Sequence, residues 1–520
     1  MTGYWSCCRL RVRTGWASLL AAPAVLIALV AAVAVQMAHR YPTPASREVY
    51  AGAYAGITGI SSFQGRGYDL TNLGGMLANE MGFLSLVLFP VAGILLAVRH
   101  TRAVEDAGQL DILTAGRVGR LAPLAASASA VTASATLTAL GSTAVLVELD
   151  YPTRGSLLYP FALAALLLAF AAVGLVAGQL AQTAPQAYGL ALAVFLVTYL
   201  LRAVIDVHHS SATWAGPDSW LAEVRPFADR PSLWPWAAYL GWLVALTGSA
   251  LWIAARRDLG AGILTPRPGA KRAPRWTASP TGLLIRLTRG TVLGWLLGSG
   301  VFALAFGILG KDMQDVVSRT RSQGTGAAID TLVALYAQIN ALFAGSVAVQ
   351  AVTVVSREER LGRLGWILST PVGRRRTWIA ATAVALAWSM LTLACTGLMT
   401  GIGLTLGLHE DSAFADGLTA TLAYAPAVAF VTTLALLLTA VTPSATALGW
   451  TTVIWGLVVT FLGDPLGLSQ GLRVLSPFEW SGQVPLENWG PIPALLTTVC
   501  AGLGVILSIA QFARRDLDKG

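Results

Sequence analysis

The chain has 520 residues, 55% of them hydrophobic and only 12% charged, with a mean hydropathy of +0.64 and a formal net charge of +9. Soluble domains carry about 25% charged residues, so this composition describes a polytopic membrane protein rather than a soluble domain. The positive balance does not point to nucleic acid, because the basic residues lie in short connections instead of forming one basic face; it suits orientation across a membrane.

Residues 1–15 carry Arg9, Arg11 and Arg13 and lead into an apolar run at 16–38. A basic start before an apolar run resembles a signal peptide. This run exceeds 20 residues and lacks a clear small-residue cleavage site, so it reads as a retained first helix. Five more runs follow at 79–98, 121–147, 158–181, 187–206 and 233–255. Each is near the roughly 20 residues that cross a bilayer core. Residues 256–290 are rich in Arg, Pro and Gly and form a basic linker. Six further spans fall at 291–310, 331–355, 378–407, 418–440, 445–463 and 491–512. The expected fold is an all-α polytopic membrane protein, with twelve transmembrane helices as two parallel six-helix repeats. The first unit covers 1–255, the linker with an elbow helix 256–290, and the second unit 291–520.

Twelve spans put both termini on one side. The N-terminus, 99–120, 256–289, 356–376 and 513–520 together hold 24 Lys and Arg residues, against 10 in the opposite loops. The positive-inside rule then makes the termini and the linker cytoplasmic. The four cysteines show no disulfide or zinc spacing: Cys7 and Cys8 are adjacent, and Cys395 and Cys500 lie in apolar runs.

The halves repeat each other. Residues 104–120 align with 358–374 without a gap, so that Glu105, Gly108, Leu110, Val118, Gly119 and Arg120 fall on Glu359, Gly362, Leu364, Val372, Gly373 and Arg374. The string ARRDL ends both halves, at 255–259 and 513–517, and a Pro-Phe pair recurs at Pro226–Phe227 and Pro477–Phe478. Six spans per half make the repeat parallel, related by an axis along the membrane normal. A two-fold arrangement of this kind creates a cleft between halves and two equivalent cytoplasmic faces.

Taken as helices, 104–114 and 358–368 each gather an apolar stripe, Ala107, Leu110 and Leu113 in one and Leu361, Leu364 and Ile367 in the other, at amphipathic spacing. An interfacial helix lying on lipid accounts for the stripe. A docking knob for a partner accounts better for the shared acid, glycine and leucine.

At Arg357, Glu359, Gly362, Leu364, Ile367, Ser369, Thr370, Pro371 and Val372 the chain resembles type-2 ABC exporter permeases. The motif lies between the second and third spans of a six-span unit. The first copy departs from it at Ala103, Gly116 and Arg117. A fused pair of such units with an arginine-rich linker resembles the actinobacterial exporters of polyketide antibiotics, the tetronasin type. The resemblance implies that Glu105, Gly108, Leu110 and Leu113, with Glu359, Gly362, Leu364 and Ile367, couple to a separate ATPase. Two copies of that ATPase are implied, one per segment, with ATP and Mg bound by the ATPase and no cofactor bound by this chain. The closer match of the second copy implies that a change at Glu359 costs more activity than one at Glu105. Elbow helices are implied at 4–13 and 282–289, and short helices folded back from the outer side at 219–234 and 468–480. Substrate-pathway residues on the second and fifth spans would include Phe83, Phe89, Tyr199, Gln338, Asn340, Phe343, Trp455 and Phe461; their aromatic and amide character suits bulky, amphipathic drug-like molecules.

The 520 residues contain no G-x-x-x-x-G-K-[ST] phosphate loop, and GILGKDM at 307–313 has the wrong spacing. The chain is therefore not expected to be an enzyme by itself but part of an ATP-hydrolysing transporter. The competing reading is a proton-coupled multidrug antiporter, which needs acids in mid-span. Glu80, Arg202 and Asp206 are the ionisable groups nearest the membrane interior, and the last two, four apart on one helix, are placed to pair.

Overall fold

The computed structural model describes residues 2–54, 61, 64–114, 116, 118–208, 210–264, 272–321, 325–463, 467–486 and 489–516. Among them every regular element is helical. Twelve helices are long and apolar enough to cross a membrane. The chain divides into two compact units, Met1–Pro268 and Gly269–Gly520, the boundary falling inside the basic linker.

In the first unit the helices are α1 (Tyr4–Arg40), α2 (Pro44–Tyr54), α3 (Leu73–His100), α4 (Arg102–Asp106), α5 (Gln109–Thr114), α6 (Ala122–Glu148), α7 (Thr153–Leu180), α8 (Ala184–Val207), α9 (Pro217–Glu223) and α10 (Trp234–Arg256). The second holds α11 (Pro280–Ile308), α12 (Gly310–Arg321), α13 (Thr325–Arg360), α14 (Arg363–Leu368), α15 (Arg374–Leu408), α16 (Ser412–Leu422), α17 (Ala425–Val441), α18 (Thr446–Leu462), α19 (Gln470–Arg473) and α20 (Pro491–Arg514).

The duplication seen in sequence recurs in the packing. In each unit the first span packs on the third (α1 on α6, α11 on α15), the second on the fourth (α3 on α7, α13 on α17), and the fourth on the sixth (α7 on α10, α17 on α20). Apolar side chains gain little from leaving lipid, so close approach through small residues drives such pairs. A Cβ on Gly93 of α3 would stand 2.1 Å from the Leu167 carbonyl of α7, and one on Gly403 of α15 would stand 2.4 Å from the Leu304 carbonyl of α11. At these crossings only glycine fits.

Three expectations change. The run 418–440 is two helices, α16 and α17, parted at Ala423 and Tyr424. Pro426 lacks an N–H and opens α17, so the backbone ladder cannot run through. Residues 4–13 and 282–289 are continuous with the spans α1 and α11 and form no separate elbow helices. The segments 104–114 and 358–368 are not single helices, as the next section describes.

On the side of each unit away from those segments, the Pro-Phe pairs seat their rings in glycine notches. Phe227 lies over Gly74 and Gly155, where an added Cβ would come within 2.0 and 2.1 Å of its ring. Phe478, buried, fills the space beside Gly345 and Gly456. The short helix α9 is packed against α7, α8 and α10, and Asp218, Trp220 and Glu223 on it are buried.

Candidate functional site

The second span of each unit runs into a short charged segment that turns before the third span begins. In the second unit α13 ends at Arg360 and α14 starts at Arg363. Gly362 between them has φ 71°, and its N–H donates to the Glu359 carbonyl at 2.8 Å. In the first unit Gly108 has φ 71° and donates to the Glu105 carbonyl at 2.9 Å, between α4 and α5. Only glycine adopts this left-handed conformation without cost. The shared glycine therefore breaks the helix in both copies, which is why the expected apolar stripes do not form. Leu364 is 3% exposed, Leu361 is 51% exposed, and Ile367 is half-buried. Ala107 is exposed and Leu110 half-buried; the side chain of Leu113 lies outside the described residues.

The shared acids turn inward. Glu359 is 1% exposed, and both its carboxylate oxygens accept from Nη2 of Arg515, at 2.6 and 2.7 Å. Glu105 accepts from Arg257 Nη1 at 2.8 Å and Nη2 at 2.5 Å, from the Gly260 N–H at 2.8 Å, and lies 3.2 Å from Arg102 Nη1. Charge-assisted contacts of this kind are the strong class of hydrogen bond. Arg257 and Arg515 are the same position of the ARRDL string, immediately after the last span of each unit. The shared arginines of the segments close the arrangement: Arg374 donates to the Arg515 carbonyl at 2.7 Å, and Arg120 donates to the Arg257 carbonyl.

What the two segments present outward differs. The second shows Leu361 and Trp366, the latter 82% exposed. The first shows Ala107, Gln109 and Asp111. Among the described residues, the exposed leucine and tryptophan of the second segment, set among Arg360 and Arg363, have no counterpart in the first.

The candidate pathway residues lie on helices of both units. Phe89 and Tyr199 are buried within the first unit, Tyr199 beside Phe195 with Arg202 over its ring, while Phe83 is half-buried. In the second unit Gln338 donates to Glu479 at 2.7 Å, and Asn340 donates to Thr400 and Thr421 at 2.8 and 3.2 Å. Phe343 packs edge-on against Phe302 and beside Trp295. Trp455 is half-buried and donates to the Leu472 carbonyl, and Phe461 is half-buried on the same helix. Within each unit these contacts give several of them structural partners.

A small polar cavity in the first unit gathers Arg66, Tyr68, Arg202, Asp206, Asp218 and Arg225. Arg202 and Asp206 pair at 2.9 Å, and Arg66 adds a second contact to Asp206 at 3.1 Å. Nearby, Glu80 accepts from the hydroxyls of Tyr50 and Tyr54 at 2.8 and 2.9 Å. Asp218, outside the spans, is held up to about 7 by burial, against the lowering effect of Thr198 and Arg202. Sequence reasoning missed Arg102, Arg257, Arg515 and Asp218. The repeated ARRDL string carried a signal for two of them; nothing in the string said what the arginines would meet.

Residues 278–513 match the family model described as the multidrug efflux system permease Rv1217c, C-terminal domain. The chain is 29% identical over 518 residues to the multidrug efflux system permease protein Rv1217c of Mycobacterium tuberculosis (strain ATCC 25618 / H37Rv), a match covering 96% of this chain and 92% of that one. By sequence the chain is thus similar to a multidrug efflux permease along nearly its whole length, and the twelve apolar helices among its described residues are those of a multi-pass membrane protein.

Proposed function

We propose that this chain is the membrane subunit of an ATP-driven exporter of hydrophobic antibiotics or drugs. A separate ATPase, in two copies, docks on the segments around Glu105 and Glu359 and supplies the work, with ATP and Mg bound on the ATPase. The observation that carries this reading is the twice-repeated segment itself. It is a broken helix after the second span, fixed from within by a buried acid, and in the second unit it leaves Leu361 and Trp366 turned outward. A segment that only lay on lipid would have no need of an internal ion pair. The absence of a phosphate loop in these 520 residues, and the permease named in the homologue, support the same division of labour. The charge bias of the loops supports a bacterial plasma-membrane protein with both termini cytoplasmic.

The test is ATP turnover and drug efflux by the chain reconstituted with its ATPase in proteoliposomes. Drug-stimulated turnover should fall at least tenfold when Trp366 and Leu361 are both replaced by Ala; unchanged turnover sinks the docking assignment. A second reading, a proton-coupled multidrug antiporter, draws on Asp206, a buried acid within the fifth-span helix. Efflux that survives ATP depletion and collapses with the proton gradient would favour it.

A further inference from the structure

We propose that Arg257 and Arg515 are positioning residues that fasten each cytoplasmic segment to the end of the sixth span of its own unit, so that the second, third and sixth spans move together when the segment is pushed. The proposal rests on reading the segments as the ATPase docking sites, and it names how a push at such a site reaches the membrane.

Chain connectivity alone links a segment only to the spans it joins, the second and third. The sixth span lies far away in sequence, 152 residues from Glu105 to Arg257 and 156 from Glu359 to Arg515. In both units it is brought to the segment by the same two contacts. The segment's acid takes the guanidinium of the arginine that follows the sixth span. The arginine at the start of the third span takes that residue's backbone carbonyl. One residue is thus held by its side chain from the second span and by its backbone from the third. In the first unit two parallel contacts, Arg257 Nη1 and Nη2 to the two oxygens of Glu105, resist rotation where one does not, and in the second Nη2 of Arg515 is held between both oxygens of Glu359. Glu359 is buried and the Glu105 side chain is only 5% exposed, which limits screening of the pairs by water and salt.

The occurrence of this arrangement in both units, at matching positions of a diverged repeat, is what separates it from an incidental surface ion pair. Exposed pairs contribute little and would not be expected to recur on the same atoms. The two units differ in one respect. Glu105 has Arg102 as a second cationic neighbour, and Arg257 is itself held by Gln179 at 2.8 Å. Among the described residues the ion-pair partner of Glu359 is Arg515. The fastening in the second unit therefore depends on one side chain, and in the first it is shared.

The test uses the full chain in nanodiscs, first alone and then with its ATPase. Hydrogen exchange over 356–370 is measured for the wild type, Arg515→Ala and Arg515→Lys. Arg515→Ala should speed exchange across the segment at least tenfold, and Arg515→Lys, which keeps the charge but loses the planar guanidinium, should fall between. Exchange in Arg515→Ala equal to wild type overturns the proposal whatever the ATPase does. With the ATPase present, Arg515→Ala should bind it within about threefold of the wild-type affinity while drug transported per ATP falls at least tenfold. The reversed pair Glu359→Arg/Arg515→Glu should recover part of that ratio. Loss of binding in proportion to loss of transport would make Arg515 a docking or folding residue and overturn the positioning role. If the wild-type chain binds no ATPase, the docking assignment fails, and the exchange result still decides the fastening.

Discussion

Leu364 and Trp366 stand two residues apart on α14 and face opposite ways, the first 3% exposed and the second 82%. The motif shared between the halves marks Leu364, which holds the segment in place; the outward residue is Trp366, for which the first half has no aromatic counterpart. Exposed tryptophans are the side chains that dominate docking energy, at about 2 kcal/mol or more when truncated. Trp366→Ala should leave thermal stability of the purified chain within about 0.5 kcal/mol of wild type and weaken binding of the ATPase about 30-fold. Leu364→Ala should do the reverse, costing roughly 2–5 kcal/mol of stability. Melting in detergent and a binding titration separate the two, and equal effects on both readouts would count against this division of roles.

Motif similarity alone places the greater sensitivity at Glu359, but the geometry places the greater stability cost at Glu105. Removing the charge at Glu105 strips two near-buried guanidiniums, Arg102 and Arg257, of one shared partner. Among the described residues, removing it at Glu359 strips Arg515 alone. Breaking a buried pair by deleting one side costs about 3–5 kcal/mol. Glu105→Gln should therefore lower the melting temperature more than Glu359→Gln, and Arg102→Ala should lessen the Glu105→Gln penalty. A larger fall for Glu359→Gln would mean that the first-unit network is not the tighter of the two.

The spans were legible because a bilayer demands some 20 apolar residues in a row, and eleven of the twelve expected runs each fall on one continuous helix to within two residues at either end. The exception at 418–440 had its warning in Pro426, which hydropathy averages away. The repeat was legible too, since Glu105 and Glu359, and Arg257 and Arg515, were matched by position. What the string could not show was that the two matches meet. Contact across more than 150 residues is decided by how the spans pack, and the packing is set by small residues such as Gly93 and Gly403 that carry no distinctive signal. The amphipathic stripe failed for a local reason, because a periodicity count treats Gly362 as one more residue when it reverses the backbone.

Phe478 and Gly456 make a matched pair in the second unit. A Cβ on Gly456 would stand 2.6 Å from the Phe478 ring and 2.8 Å from Leu342. Gly456→Ala should destabilise the chain by about 1–3 kcal/mol through overpacking, and Phe478→Ala by about 3–5 kcal/mol through the cavity it leaves. Because the space vacated by the ring accepts the added methyl, the double variant should lose less than the sum. Strict additivity in a melting-temperature cycle would show that the ring and the glycine do not share the notch.

Asp218 makes the stability of the first unit depend on pH in a direction opposite to most acids. Burial raises its carboxyl from an ordinary value of 3.8 to about 7, more than Thr198 and Arg202 lower it. A group that holds its proton more tightly when folded contributes stability while both states are protonated. That contribution is lost as pH rises from the unfolded value through the folded one. Between about pH 4 and 7 the loss approaches about 1.4 kcal/mol per pH unit, and above that it levels off. The groups sharing the cavity, Arg66, Arg202, Asp206 and Arg225, include partners of opposite charge that are already paired with one another. Replacing Asp218 with Asn keeps the shape and removes the titration. Melting of the detergent-solubilised chain should fall from pH 5 to pH 7.5 in the wild type, and Asp218→Asn should flatten that slope and melt higher at pH 8. Parallel slopes in the two proteins would assign the pH dependence to other groups and leave Asp218 ionised at neutrality.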